Sequence, residues 1–102
     1  MFVLRLAAVL CLGAALSYAQ NVGEIRLAVK DATGASVQAG GTIEGLATGV
    51  HRDFQTDDKG LHTFTGLPFG IYAIDVKRDG FAPKSLRVEV RTEAPVLSLI
   101  HI

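Results

Sequence analysis

The chain has 102 residues, of which 10 are basic and 10 acidic, and this length suits a single folded domain. Its basic residues are not clustered, since Lys77 and Arg78 form the one adjacent basic pair. A nucleic-acid-binding function is therefore disfavoured. The single cysteine, Cys11, leaves no disulfide to stabilise the chain.

Residues 1–19 contain the three parts of an export signal. Arg5 supplies a positive start, an apolar run follows, and Ser17 and Ala19 form a small-x-small cleavage site. The run is shorter than the about 20 residues that a membrane-spanning helix needs. We predict a cleavable N-terminal signal helix over 1–19 and a mature domain over 20–102, with a buried helix or a membrane anchor as the alternative. The residues before Cys11 do not match a lipid-attachment pattern.

Beyond the signal, apolar and polar residues alternate with a period of two, which is typical of half-buried strands. Together with a last segment that is mostly apolar, this gives seven candidate strands between turn-forming residues, at 23–30, 37–46, 50–56, 61–67, 71–77, 85–90 and 96–102. Turns recur about every 8 to 12 residues and no helical pattern intervenes. Because each sheet must bury one face against another, the sequence predicts an all-β fold, a seven-strand Greek-key β-sandwich.

The same alternation predicts which side chains face the core. His62 and Gly66 share the inward face of their strand, and Leu61 faces out. Gly70 and Gly80 are predicted to adopt positive φ, and the pair Gly40–Gly41 to mark a bulge or a close backbone approach. The predicted core is Phe64, Tyr72, Ile74, Val76, Leu86 and Val88.

The last predicted strand, residues 96–102, is apolar on both faces. One face fits the sandwich, and the other would be exposed beside an unpaired strand edge, which favours aggregation. We therefore expect further chain or a partner to cover it.

The spacing of turn glycines and core aromatics resembles that of the carboxypeptidase regulatory-like domain, a prealbumin-like (transthyretin-like) β-sandwich. The likeness covers residues 24–102, and its departures are His62, where the family has an aromatic residue, and the loop Leu67-Pro68-Phe69-Gly70. The matching positions are Asp31, Gly34, Thr56, Asp57, Gly60, Phe64, Leu67, Gly70, Tyr72, Gly80 and Phe81.

The resemblance implies a non-catalytic, exported accessory domain. A signal followed directly by one such domain is similar to the start of TonB-dependent outer-membrane receptors of the Oar-like kind. The resemblance therefore implies that the protein is located in the periplasm or outer membrane of a Gram-negative bacterium. Its partners would be downstream plug and barrel domains or periplasmic proteins. Contact with the membrane would come only through an attached barrel.

No catalytic, cofactor or metal site emerges from the residues. His51, His62 and His101 lack metal-binding spacing, and His62 is best interpreted as a core histidine. Asp57 and Asp58 lack the spacing of a calcium loop and fit a turn. The serines lack a nucleophile motif, and the single asparagine precedes the first strand, which disfavours a Lys–Asn crosslink.

Carbohydrate binding is the alternative function, that of a small secreted module. Sugar sites on β-sandwiches use exposed aromatic rings, and the chain has no tryptophan. Phe69, in the loop after the fourth strand, is the candidate ligand contact, with Phe81 as a second exposed ring. The resemblance also implies a starch-binding-like fold.

Overall fold

Residues 21–102 are described by a computed structural model, and the predicted signal over 1–19 lies outside them. They form an all-β sandwich of two sheets, which confirms the predicted fold. The seven strands are β1 (Val22–Lys30), β2 (Gly40–Gly45), β3 (His51–Gln55), β4 (Leu61–Pro68), β5 (Gly70–Lys77), β6 (Lys84–Val90) and β7 (Val96–His101). Among the described residues, none forms a helix long and apolar enough to cross a membrane.

The two sheets differ in strand number and direction. The three-stranded sheet has the order β4-β1-β7, with β1 antiparallel to β4 and parallel to β7. The four-stranded sheet has the order β3-β2-β5-β6 and is antiparallel throughout. Between β4 and β5 the chain passes from one sheet to the other through Phe69 alone, so this residue lies at a corner of the sandwich.

The core lies between the sheets and follows the predicted alternation. On β5, Tyr72, Ile74 and Val76 are fully buried at every second position. The prediction is also confirmed for Phe64 and Val88. Leu86 is only partly buried against this cluster, because it lies on β6, an edge strand without a neighbour on its outer side among the described residues.

A β-bulge in β4 reverses the alternation of faces near the end of the strand. Leu67 lies opposite Gly23 and Phe64 opposite Ile25, so β4 has one residue more than β1 in this stretch. Gly66 accommodates the extra residue with a φ of 63°, as bulges with a left-handed glycine do. The predicted inward position of Gly66 is therefore wrong, and Leu67 is buried instead.

The prediction of positive φ is confirmed at Gly80 and wrong at Gly70. Gly80 has a φ of 87° in a turn closed by a 3.1 Å hydrogen bond from the Phe81 N–H to the Arg78 carbonyl. Gly70 begins β5 in ordinary strand geometry, because the left-handed residue of this region lies earlier, in the bulge. A Cβ at Gly70 would lie 3.1 Å from Cγ2 of Thr48, so close packing accounts for this glycine.

Two turns share one five-residue geometry, and both have the sequence Asp-x-x-Gly. The Asp31 carboxylate accepts hydrogen bonds of 2.9 and 3.0 Å from the N–H groups two and four residues later, and the Gly34 N–H donates to the Asp31 carbonyl. Asp57 and Gly60 repeat each of these bonds after β3. The aspartate thus satisfies backbone donors, while the glycine supplies the positive φ.

The Asp31 turn is expected to make stability depend on pH. The Thr33 hydroxyl, followed by backbone N–H groups, donates to the Asp31 carboxylate and lowers its pKa. A carboxylate with a lowered folded-state pKa contributes stability above its unfolded-state pKa, and that contribution is lost as the pH falls through the folded-state pKa. In denaturant melts, the stability difference between wild type and Asp31→Asn should shrink with falling pH in the acid range. A difference that stays constant would contradict this assignment.

Candidate functional site

The predicted ligand contact, Phe69, lies at one end of the sandwich. Its ring is 38% exposed at the β4–β5 corner. Leu46 and Ile71 are also exposed at this end, where the Leu46 N–H donates to the Ile71 carbonyl at 3.0 Å. Val22, paired with Pro68, completes a set of apolar side chains near the corner.

Phe81, the second exposed ring, lies at the opposite end. It is also 38% exposed, but it follows β5, whereas Phe69 precedes that strand. An eight-residue strand spans roughly 25 Å at about 3.3 Å per residue. The two rings therefore do not form one stacking platform, and a sugar at this corner would meet Phe69 without a second ring from Phe81.

Charged groups lie beside the Phe69 corner. Glu89 pairs with Ile71 across β5 and β6, and its carboxylate accepts a 2.7 Å hydrogen bond from Nε of Arg91. The hydrogen bond and the opposite charge lower the pKa of Glu89 and raise that of Arg91. Both groups thus stay ionised near neutral pH.

The outer face of the three-stranded sheet carries an apolar surface that sequence analysis predicted only in part. Ala28 of β1 lies opposite Leu61 on one side and Leu99 on the other, so these residues form a row across the sheet. Leu97 extends the row along β7. Leu61, Leu99 and Leu97 are 48%, 54% and 77% exposed, and they border a shallow depression of about 390 Å³. We call this row and Leu97 the leucine surface.

The outer face of the four-stranded sheet is polar by comparison. Glu44 lies opposite His51 and Ala73, and the next row contains Asp75. The Ser85 hydroxyl donates to the Asp75 carboxylate, which gives this face a hydrogen-bonded surface. The polar side chains of the four-stranded sheet are readily solvated by water. On the three-stranded sheet, the leucine surface exposes apolar side chains to water.

His62 faces inward as predicted and packs in an aromatic cluster. Its ring centroid lies 4.7 Å from that of Phe64 and 5.4 Å from that of Phe54, and the ring is partly buried. The Phe54 and Phe64 rings meet edge to face at 5.0 Å. The geometry is that of a packing residue.

The predicted turn role of Asp57 agrees with its hydrogen bonds. Its Oδ1 accepts the N–H groups of Lys59 and Leu61, so the carboxylate serves the backbone. Within residues 21–102, no three His, Cys, Asp or Glu side chains come close enough to hold a metal ion.

Comparison with known proteins places the fold among bacterial β-sandwiches. No protein-family model matches the chain, and no curated protein matches it. The TIE protein of Bacillus anthracis superposes with a TM-score of 0.65 and 20% identity, covering 79% of this chain and 16% of that one. The pilus 2b backbone protein of group B streptococcus gives 0.64 and 20%, covering 78% and 40%. A proposed carbohydrate-binding protein of Pseudomonas aeruginosa gives 0.59 and 17%, covering 82% and 90%.

These similarities define the class of protein as a β-sandwich of the kind found in pilin backbone proteins and proposed carbohydrate-binding proteins, consistent with the prealbumin-like fold. The chain spans 16% and 40% of the first two neighbours, so it corresponds to one part of each. At identities of 20% or less, the similarity concerns the fold and carries over no residue of a site.

Proposed function

We propose that the chain is an exported, non-catalytic accessory β-sandwich that acts as an interaction module. The observation that supports this role is the contrast between the two outer faces. One bears mainly polar side chains beside the exposed Ile71. The other exposes Leu61, Leu97 and Leu99 around one depression. Exposed apolar patches of this kind mark contact sites on soluble domains.

The more specific proposal is that the module is the N-terminal periplasmic part of a TonB-dependent receptor-like outer-membrane protein. The motif that carries the resemblance performs definite structural tasks in this fold. Asp31 and Asp57 cap equivalent turns, and Phe64 and Tyr72 fill the core. These matches support membership of the regulatory-like class in which such N-terminal modules occur.

The receptor proposal is tested by the reading frame of the gene and by the location of the protein in its host cell. A reading frame that continues past Ile102 into plug-like and barrel-like sequence is the expected result, together with recovery of the protein in the outer-membrane fraction of its host. A stop codon after Ile102 and a purely cytoplasmic protein would contradict the proposal.

The second candidate function is carbohydrate binding at the Phe69 corner. It is favoured by an exposed ring two residues before Ile71, which pairs with Glu89 of the Glu89–Arg91 ion pair. Stacking and directional polar contacts together are what small-ligand sites use. The similarity to the proposed carbohydrate-binding protein of Pseudomonas aeruginosa supports it through the fold.

Glycan-array screening tests the sugar hypothesis with a matched pair of variants. Phe69→Ala should weaken binding of any recognised glycan by about tenfold or more, equivalent to about 1.4 kcal/mol. Phe81→Ala is the control, because that ring is equally exposed at the opposite end. No binding by the wild type, or equal losses in both variants, would reject the Phe69 site.

A further inference from the structure

The outer edge of β7 presents a row of backbone N–H and C=O groups, and another strand could pair with the whole row. Within residues 21–102, β7 is the last strand of the order β4-β1-β7. The Ile102 N–H donates to the Lys30 carbonyl at 2.9 Å. The even-numbered residues of β7 therefore direct their backbone N–H and C=O groups toward β1. Successive residues of a strand alternate in this direction, and Leu97 and Leu99 therefore direct their N–H and C=O groups to the outer edge.

The other three edge strands of the described sandwich carry features that discourage pairing. β3 is short and bears charged side chains, and β6 bears charges of both signs. β4 is interrupted by the Gly66 bulge, and Nη1 of Arg52 donates to its Thr65 carbonyl at 2.7 Å. Such features protect edge strands in natural proteins. Residues 96–101 contain neither proline nor any Lys, Arg, Asp or Glu.

We propose that β7 pairs antiparallel with β7 of a second copy of this chain, about a two-fold axis at Ser98. The two three-stranded sheets then form one continuous sheet. In this register Leu97 lies opposite Leu99 of the second copy, and these are residues whose backbone groups point to the outer edge. Each such pair exchanges both of its backbone hydrogen bonds.

The register also matches side chains on both faces of the joined sheet. On the outer face, Leu97 and Leu99 of each copy meet in one apolar cluster and extend the leucine surface across the axis. On the inner face, Val96 lies opposite Ile100 of the second copy. Opposed apolar pairs of this kind stabilise antiparallel strands.

Charges do not oppose this arrangement. Arg26, the nearest cation on the outer face, lies on β1 opposite Leu97 and pairs with Glu24 at 3.1 Å. Three strand spacings, about 14 Å in all, separate it from Arg26 of the second copy. A second copy is the occupant that the segment favours, because residues 96–100 (VLSLI) have the same apolar pattern on either side of Ser98 and therefore complement themselves about a two-fold axis.

The expected dimer is concentration-dependent. One strand pair and a small leucine cluster place the contact at the low end of protein interfaces, where association is weak. The proposal rests on the interaction role proposed above and identifies the partner of the β7 edge, where Leu97 and Leu99 of the leucine surface lie.

Sedimentation velocity on protein from expression of the full chain tests the pairing over a roughly hundredfold concentration range. The wild type should shift from monomer to dimer. Leu99→Lys places a charge in the cluster and should weaken association by about tenfold or more. Leu61→Lys is the matched control, since this leucine is similarly exposed on the same face but lies on β4, away from the axis.

A proline variant separates backbone pairing from apolar contact. The N–H of residue 99 points to the outer edge, so Leu99→Pro removes no hydrogen bond within one copy, and proline is tolerated at such positions. It should abolish the dimer while the circular dichroism spectrum and melting temperature stay near those of the wild type. Ser98→Pro removes an N–H directed at β1 and should lower the melting temperature.

Disulfide trapping tests the register in a Cys11→Ser background, where the introduced thiol is the only one. In the proposed register, residue 98 lies opposite residue 98 of the second copy. The two residues form a pair without hydrogen bonds, in which the Cα atoms are about 4.5 Å apart. This separation fits a disulfide. Ser98→Cys should give a covalent dimer on mild oxidation, and His101→Cys, which lies opposite Pro95 of the second copy, should not.

Two outcomes overturn the pairing. The first is a monomer at every concentration without a Ser98→Cys crosslink, a result that leaves the reading-frame test of the receptor proposal unaffected. The second is an equal loss of association in Leu61→Lys and Leu99→Lys, because it would indicate general adhesion of the outer face.

Discussion

Gly60→Ala is expected to lower the free energy of unfolding by about 3 kcal/mol. Gly60 has a φ of 74°, where a residue with a Cβ pays roughly 1–2 kcal/mol. The new Cβ would also lie 2.5 Å from the Val29 carbonyl oxygen and 2.9 Å from that of Val37. Both atoms belong to the backbone, and the Val29 N–H donates to the Gly60 carbonyl at 2.8 Å, so relief of the clash would disturb β1.

The control variants separate the conformational cost from the clash. Gly34 and Gly80 also have positive φ, at 86° and 87°, but a Cβ at either position would meet no atom within 4 Å. Gly34→Ala and Gly80→Ala should therefore show the conformational cost alone. Urea melts of the three variants measure the difference. Equal losses in all three would show that the backbone contacts of Gly60 are unimportant.

Phe64→Ala is expected to cost about 3–5 kcal/mol, the range for removal of a buried aromatic side chain. Phe64 is 2% exposed and packs edge to face on Phe54 at 5.0 Å and against His62 at 4.7 Å. Its removal opens a cavity between the two sheets at the side where β3 and β4 meet. Denaturant melts measure the loss.

Phe81→Ala serves as the control, because its ring is substantially exposed and the change should stay within about 0.5 kcal/mol. A loss below about 1 kcal/mol for Phe64→Ala would show that the ring does not support the core.

The strands were predictable from the sequence because alternation directly reflects burial. On β5, each predicted inward residue is fully buried, and the close approach predicted for the glycine pair is confirmed. A Cβ at Gly41 would overlap the carbonyl oxygen of Asp75 on the neighbouring strand. These features depend on one strand and its immediate partner, which local sequence reports well.

The errors arose where a local pattern has two physical solutions. The turn pattern predicted a positive φ at Gly70, but Gly66 lies near the same crossing and has it instead. The chain uses Gly66 in a bulge, which shifts Leu67 into the core. Alternation alone does not reveal a bulge, because the extra residue is defined by the register against β1.

The candidate surface was predictable only in part for a related reason. The outward position of Leu61 and the two apolar faces of residues 96–102 were visible in the sequence. That Leu61 and the apolar residues of β7 form one surface could not be predicted, because it depends on β4 and β7 flanking the same strand, β1. The structural role of Thr56 was also not predictable from the sequence. Its buried hydroxyl accepts a 2.8 Å hydrogen bond from the Ala39 N–H, and its own N–H donates to the Ala39 carbonyl.

The parallel pairing of β1 with β7 determines how the domain would bear mechanical load. The chain enters β1 at Val22 at one end of this pair and leaves β7 at His101 at the other end. A force that pulls residues 21 and 102 apart would slide the two strands along each other, so their hydrogen bonds would be stretched together. The β5–β6 hairpin, pulled from its open end, would instead lose its bonds one after another. Along the line between residues 21 and 102, the hydrogen bonds of this strand pair would therefore resist tension together.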